Sequence, residues 1–161
     1  MTVTSVDKDV DRLTLTVVAE FDAAIERVWR MWADPRLLER WWGPVSHPAT
    51  VDEHDLSVGG AVRYVLSGPD GQTTRGWWRV TNVDPPVSLD FVDGFAEPDG
   101  TPITERSTMT VQVRLARHKG GTRMEVRSVF SSREDMEQLA RMGALDLFVQ
   151  SVGQMDALLV G

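Results

Sequence analysis

Residues 108–130, T-M-T-V-Q-V-R-L-A-R-H-K-G-G-T-R-M-E-V-R-S-V-F, decide the fold. In the first half, Met109, Val111, Val113 and Leu115 alternate with Thr108, Thr110, Gln112 and Arg114. K-G-G turns the chain. In the second half, Met124, Val126, Ser128 and Phe130 alternate with Arg123, Glu125, Arg127 and Val129. Successive strand side chains point to opposite faces, so a pattern of this kind gives one apolar and one wet face. That is the signature of an antiparallel sheet. A parallel sheet, covered on both sides, would read as continuous apolar runs.

Working upstream, the same period recurs. Val87, Leu89 and Phe91 begin a strand after the break D-P-P at 84–86, with a longer loop expected over roughly 93–104. In R-G-W-W-R-V-T-N-V, Trp78 shares a side with Val80, while Trp77 falls with Arg75 and Arg79 on the side expected to be wet. Val62, Tyr64 and Leu66 alternate with Ala61, Arg63 and Val65, and G-P-D-G at 68–71 reads as the turn of a hairpin. Gly59-Gly60 stands before a strand and reads as a turn rather than a phosphate loop. At the start, L-T-L-T-V-V-A-E-F puts Leu13, Leu15, Val17, Ala19 and Phe21 on one side.

Helical spacing interrupts this pattern twice. After Asp22, a plausible N-cap, Ile25, Val28, Trp29 and Trp32 form a stripe at i, i+3, i+4 and i+7. Asp34-Pro35 restarts the chain as a short second helix, with Asp as cap and Pro at the first position. Its apolar side is Leu37, Leu38, Trp41 and Trp42. Gly43 suits a left-handed C-terminal residue, and Pro44 prevents continuation. Within R-W-W-G-P at 40–44, Trp41 continues the stripe and is assigned to packing. Trp42, one position round, is assigned to the end of a cavity. At the other end of the chain, Ser131 and Glu134 read as a capping box opening one long helix to about Leu159. Met142, Leu145, Phe148, Val149 and Val152 line its apolar side. At ~25 residues such a helix would be ~37 Å long, enough to cross a whole sheet.

The expected fold class is therefore α+β: a curved antiparallel sheet wrapped around a long C-terminal helix, with two short helices closing one end, in a single domain over 1–161. A curved sheet gripping one helix tends to leave a cavity between them.

Composition narrows the function. The chain of 161 residues carries 17 Lys+Arg against 24 Asp+Glu, a formal net charge of −7, with no basic block. A general binder of nucleic acid needs a basic face, so none is expected as partner. No apolar run approaches the ~20 residues needed to span a bilayer. With 0 cysteines there is no disulfide and no thiolate metal site. The polar N-terminus, M-T-V-T-S-V-D-K-D-V-D-R, lacks a signal-peptide core, and a cytoplasmic protein is expected. Neither HExxH nor an acid-rich calcium loop occurs, and no metal or other cofactor is expected. Nor is there a G-x-S-x-G elbow, so no catalytic constellation is legible.

Taken in order, F-D-A-A-I-E-R-V-W, D-P-R-L-L-E-R-W-W-G-P, D-L-S-V-G-G-A-V-R-Y, P-D-G, G-W-W-R-V and V-D-P-P-V-S-L-D-F resemble the bacterial relatives of the activator of the heat-shock-protein-90 ATPase. These belong to the START-like (SRPBCC), helix-grip superfamily, and the resemblance runs from about residue 13 to 159. It implies the helix-grip fold, a hydrophobic cavity and usually no established activity. Members of the superfamily bind or transfer lipids and other apolar molecules, and some are cyclases acting on polyketides. Where many relatives carry Gly-Trp on the terminal helix, this sequence has Leu147-Phe148, and the smaller ring leaves more room.

Candidate ligand-binding residues follow from the inward faces: Trp42, Tyr64, Leu66, Trp78, Phe91 and Met109, then Val111, Met124 and, on the helix, Met142, Leu145, Phe148 and Val152. Phe130 and Val149 face the same way. Aromatics with a polar tip and flexible Met suit pockets for apolar ligands, although each is equally at home in a plain core. His54 and Tyr64 are the candidate proton donors or acceptors. His54 in E-H-D otherwise reads as a polar strand end, because His54 and Asp55 face opposite sides. Arg63 and Arg79 are expected on the wet face. The leading functional expectation is binding of a small hydrophobic molecule. A cyclase- or hydratase-type enzyme in the same cavity comes second, and a co-chaperone-like protein-binding module comes last. A homodimer is compatible with the sequence, with Trp77 as its natural contact.

Overall fold

The computed structural model describes residues 3–104 and 108–159, so the ends of the expected 1–161 domain lie outside it. Its first strand, β1 (Val3–Asp9), is one that the polar N-terminal sequence gave no reason to expect. β1 has exposed side chains along most of its length. Backbone pairing to β2 (Thr14–Phe21) holds it in place, not a buried face. β2 carries the alternating opening stretch, with Leu15, Val17, Ala19 and Phe21 all buried.

Two short helices follow. α1 (Ile25–Ala33) buries Ile25, Val28, Trp29 and Trp32 as the spacing predicts. Its N-cap is Ala24, not Asp22, and it has no side-chain cap. α2 (Pro35–Trp41) starts as expected, with Asp34 accepting a hydrogen bond from Arg36 N at 2.9 Å. Gly43 is not left-handed. The chain packs so closely there that a Cβ on Gly43 would lie 2.0 Å from the carbonyl oxygen of His47.

Then come β3 (Ala49–His54), β4 (Ala61–Ser67), β5 (Thr73–Asp84) and β6 (Ser88–Ala96). β6 runs on through residues 93–96, where a loop was expected. The central pair is β7 (Met109–His118) and β8 (Gly121–Phe130), in the register Met109↔Phe130 through His118↔Gly121. All pairings are antiparallel, in the order β1-β2-β8-β7-β6-β5-β4-β3. The helices α1 and α2 thus carry the chain from β2 to the far edge of the sheet. Irregularities in β3 and β5 bend those strands.

The expected C-terminal helix is present but interrupted. It runs as α3 (Arg133–Arg141), α4 (Ala144–Gly153) and α5 (Met155–Leu159). Gly143 causes the first break, since its φ of +76 lies in the left-handed region, which no helix can continue through. The cap of α3 is Ser132, whose side chain accepts from Asp135 N at 3.0 Å, not the box of Ser131 with Glu134. Ser131 instead hydrogen-bonds the Asp135 carboxylate. Met136, Leu139, Val152, Met155 and Leu159 bury the inner side of this broken arm. No helix among the described residues is long and apolar enough to cross a membrane.

Trp77 corrects a further expectation. It lies on the side of Arg75 and Arg79, yet only 6% of it is exposed. Its indole N–H donates to the carbonyl of Phe95 at 2.8 Å, and its ring covers Gly94 on the neighbouring strand, where a Cβ would come within 2.8 Å. As a buried side chain, Trp77 offers no dimer contact.

Candidate functional site

Between sheet and C-terminal arm lies a cavity of about 270 Å³. One wall is the inner face of the sheet, with Leu15, Tyr64, Leu66, Met109 and Phe130. The opposite wall is Leu139, Met142, Leu145, Leu147 and Phe148 of the arm. Trp42, Pro44 and His47 close one end. Met142 is 60% exposed and so stands at the entrance. Its place there depends on the Gly143 break, which stops the helix from carrying straight on over the sheet.

The two adjacent tryptophans separate as the sequence assigns them. Trp41 is fully buried, packs edge-on against Trp32 at 4.7 Å, and donates from its indole to Met31 O at 2.9 Å. Trp42 turns the other way, meeting Tyr64 at 5.7 Å and Phe148 at 5.9 Å, and its ring lines the cavity. The arm is tied to this element directly. Gln154 Nε2 donates to the carbonyls of Trp41 at 3.1 Å and Gly43 at 2.8 Å, satisfying backbone acceptors that the end of α2 leaves unpaired.

The polar part of the cavity is a buried pair. Tyr64 Oη–H donates to Asp93 Oδ1 at 2.8 Å, and both residues line the cavity with under a tenth of their surface exposed. Tyr64 can lie flat over β5 because its cross-strand partner is Gly76, where a Cβ would sit 2.2 Å from the ring. Burial drives the Asp93 carboxyl up to about 7, against the hydrogen bonds from Tyr64 and the Gly94 backbone, which favour its charged form. Burial likewise holds the Tyr64 phenol well above its ordinary value, and the neighbouring Asp93 adds to this. Such a pair can hold a polar group, or exchange a proton with one, inside apolar walls.

Of the residues expected to meet a ligand, Trp42, Tyr64, Leu66, Met109, Met142, Leu145 and Phe148 line the cavity. Trp78, Phe91, Val111, Met124 and Val152 do not. They are fully or almost fully buried in the core beneath it, with Trp78 stacked on Phe91 at 3.8 Å. Inward direction places a side chain in the core, while closeness to the gap under the arm decides whether it meets open space. His54 is corrected as well. Its Nε2 lies 3.0 Å from Trp32 O, at the far edge of the sheet, and it is not among the cavity residues. Arg63 and Arg79 are exposed, as expected. Asp93 is the titratable residue of the cavity that sequence reasoning missed, along with His47 at its end and the wall residues Leu139 and Leu147. The alternation Leu89, Phe91, Asp93 places it inward, and an acid on an inward face was the available signal. No group of three or more His, Asp or Glu among the described residues is arranged to hold a metal ion.

The family model described as activator of Hsp90 ATPase homolog 1-like protein matches residues 22–160. The chain is similar to protein Ms6760 of Mycobacterium smegmatis, whose crystal structure is 45% identical with a TM-score of 0.90, covering 99% of this chain and 98% of that one. The solution NMR structure of a protein from Arthrobacter aurescens is 46% identical with a TM-score of 0.93, covering 98% and 92%. The AHSA1 protein of Silicibacter pomeroyi, at 23% identity and a TM-score of 0.72 over 91% and 96%, shares the fold. No curated protein matches the sequence.

Proposed function

The chain belongs to the activator of Hsp90 ATPase homolog 1-like family, and from that premise we propose that it binds a small apolar or amphipathic molecule, of the lipid, polyketide or aromatic-metabolite kind. The observation that carries this reading is the cavity of about 270 Å³, walled by apolar side chains from sheet and arm with a few convergent polar groups. Small-molecule sites have this composition and run from ~300 Å³ upward, so the size favours a compact ligand of one or two rings or a short chain. The ligand-contacting residues of this reading are those that line the cavity, with Trp42, Tyr64, Phe95, Phe130 and Phe148 as its aromatic contacts. A thermal-shift screen against apolar metabolites tests it, run in parallel on Leu145→Trp, which fills the cavity. Stabilisation of the parent protein that is lost in the filled variant supports the reading. Equal shifts in both would place binding elsewhere and refute it.

A second reading, cyclase- or hydratase-type catalysis in the same cavity, is favoured by one observation, the buried Tyr64–Asp93 hydrogen bond. Asp93 would be the group that takes up or returns a proton, and Tyr64 would orient it. Product formation from an apolar polyketide-like substrate that Asp93→Asn abolishes while binding persists would favour this reading over simple binding. A protein-binding role ranks below both. The exposed large apolar side chains among the described residues, Val6, Val45, Val58, Val87 and Met142, belong to five separate segments.

A further inference from the structure

The chemistry of the cavity's polar end restricts what kind of head group a ligand brings. Among the described residues that line the cavity, Asp93 is the acid and none is Lys or Arg. His47 is the basic side chain among those described residues, half-buried, with Nδ1 2.8 Å from Ser46 Oγ. An ionised carboxyl has two oxygens with room for about four hydrogen bonds. Among the described residues, Asp93 receives one within hydrogen-bond distance, from Tyr64 Oη at 2.8 Å. It is 4% exposed and lines the cavity, so water does not freely satisfy the remainder. Thr74, Ser128 and Ser151 also line the cavity, but most of its described lining is apolar, with the Trp42 and Phe148 rings in edge-on contact at 5.9 Å, and suits a hydrocarbon or aromatic body.

Resting on the ligand-binding reading above, we propose that the cavity selects an apolar molecule whose head group donates a hydrogen bond to Asp93, an amine above all and a hydroxyl next, and discriminates against carboxylates such as free fatty acids. A protonated amine supplies both the donor and the opposite charge, and charge-assisted hydrogen bonds are about twice as strong as neutral ones. A hydroxyl supplies the donor alone. A carboxylate brings a second acceptor of like charge to a buried acid that no Lys or Arg among the described lining residues offsets. A polar site rejects the mismatched group strongly, because both partners are left unpaired away from water.

Three probes sharing one naphthalene body, bearing an aminomethyl, a hydroxymethyl or a carboxylate group, separate these cases by calorimetric titration at pH 8. The expected order is amine, then alcohol, then carboxylate, with the amine at least tenfold tighter than the carboxylate. Asp93→Asn removes the amine's advantage over the alcohol and leaves the alcohol within about threefold. Tyr64→Phe, which keeps the acid, preserves the order of all three. If the carboxylate binds as tightly as the amine, the head-group selection is overturned and cavity binding stands. If none of the three binds the parent protein, the selection falls together with the binding reading. Circular dichroism of each variant checks the fold, and an unfolded Asp93→Asn leaves the probe order in the parent and in Tyr64→Phe to decide.

Discussion

Asp93 concentrates the chemistry of the site in one side chain, and its environment predicts a pH dependence. A carboxyl raised from 3.8 to about 7 on folding takes up a proton when the chain folds. The stability it contributes is therefore complete below about pH 4 and is lost as pH rises through about 7. The gap corresponds to up to about 4 kcal/mol. Asp93→Asn, which keeps an acceptor for Tyr64, should lose this dependence and gain on the parent between pH 5 and pH 8, as read by urea unfolding at both. A stability difference that does not change with pH would refute the assignment. Gly76→Ala tests the neighbouring contact. Its Cβ meets the Tyr64 ring at 2.2 Å, and displacing that ring should cost ~1–3 kcal/mol. Asp93 escaped sequence reading because the Asp-Gly pair at 93–94 consists of poor strand formers and resembles a turn. Gly94 is there for the ring of Trp77, which occupies the space of its side chain. Trp77 departs from the expected wet side for a related reason. Alternation gives the side of a sheet a residue faces, but a large ring can lie down over a glycine and bury itself on that side.

At the scale of elements, the C-terminal arm decides where the cavity opens. Gly143 turns the chain through φ +76 between α3 and α4, with nothing within 4 Å of where a Cβ would be. Gly143→Ala should therefore destabilise the protein by roughly 1–2 kcal/mol through backbone strain alone. A continuous helix would instead gain about 1 kcal/mol from the same change, so the sign measured by chemical denaturation tells the two apart. Gln154 anchors the arm to Trp41 and Gly43, and Gln154→Ala should cost about 1–3 kcal/mol by leaving two carbonyls unpaired. A neutral result would mean that water takes over both bonds. The elements themselves were well marked in sequence where a buried face imposed a period, as in β2, α1, β7 and β8. The edge strand β1 has no such face, and its hydrogen bonds to β2 leave no trace in its side chains. The apolar stripe continues through Met142 to Leu145, which disguised the break at Gly143.

For the molecule as a whole, the separation of Trp41 from Trp42 joins fold to function, one ring completing the core and the other facing the space under the arm. The order of elements, their antiparallel pairing and the gap between sheet and arm could be inferred from hydrophobic periodicity together with family resemblance. The volume of the gap could not, because it depends on how deep Trp78, Phe91 and Met124 pack beneath it. The central claim is that this gap receives a ligand. The six tryptophan indole N–H resonances of a nitrogen-15 spectrum report on it directly, during titration with the neutral naphthalene alcohol. The account predicts a saturable shift of the Trp42 resonance, with those of Trp41 and Trp32 almost unmoved. Saturation that leaves Trp42 unchanged, or no shift at any concentration for the alcohol and the amine alike, would contradict it.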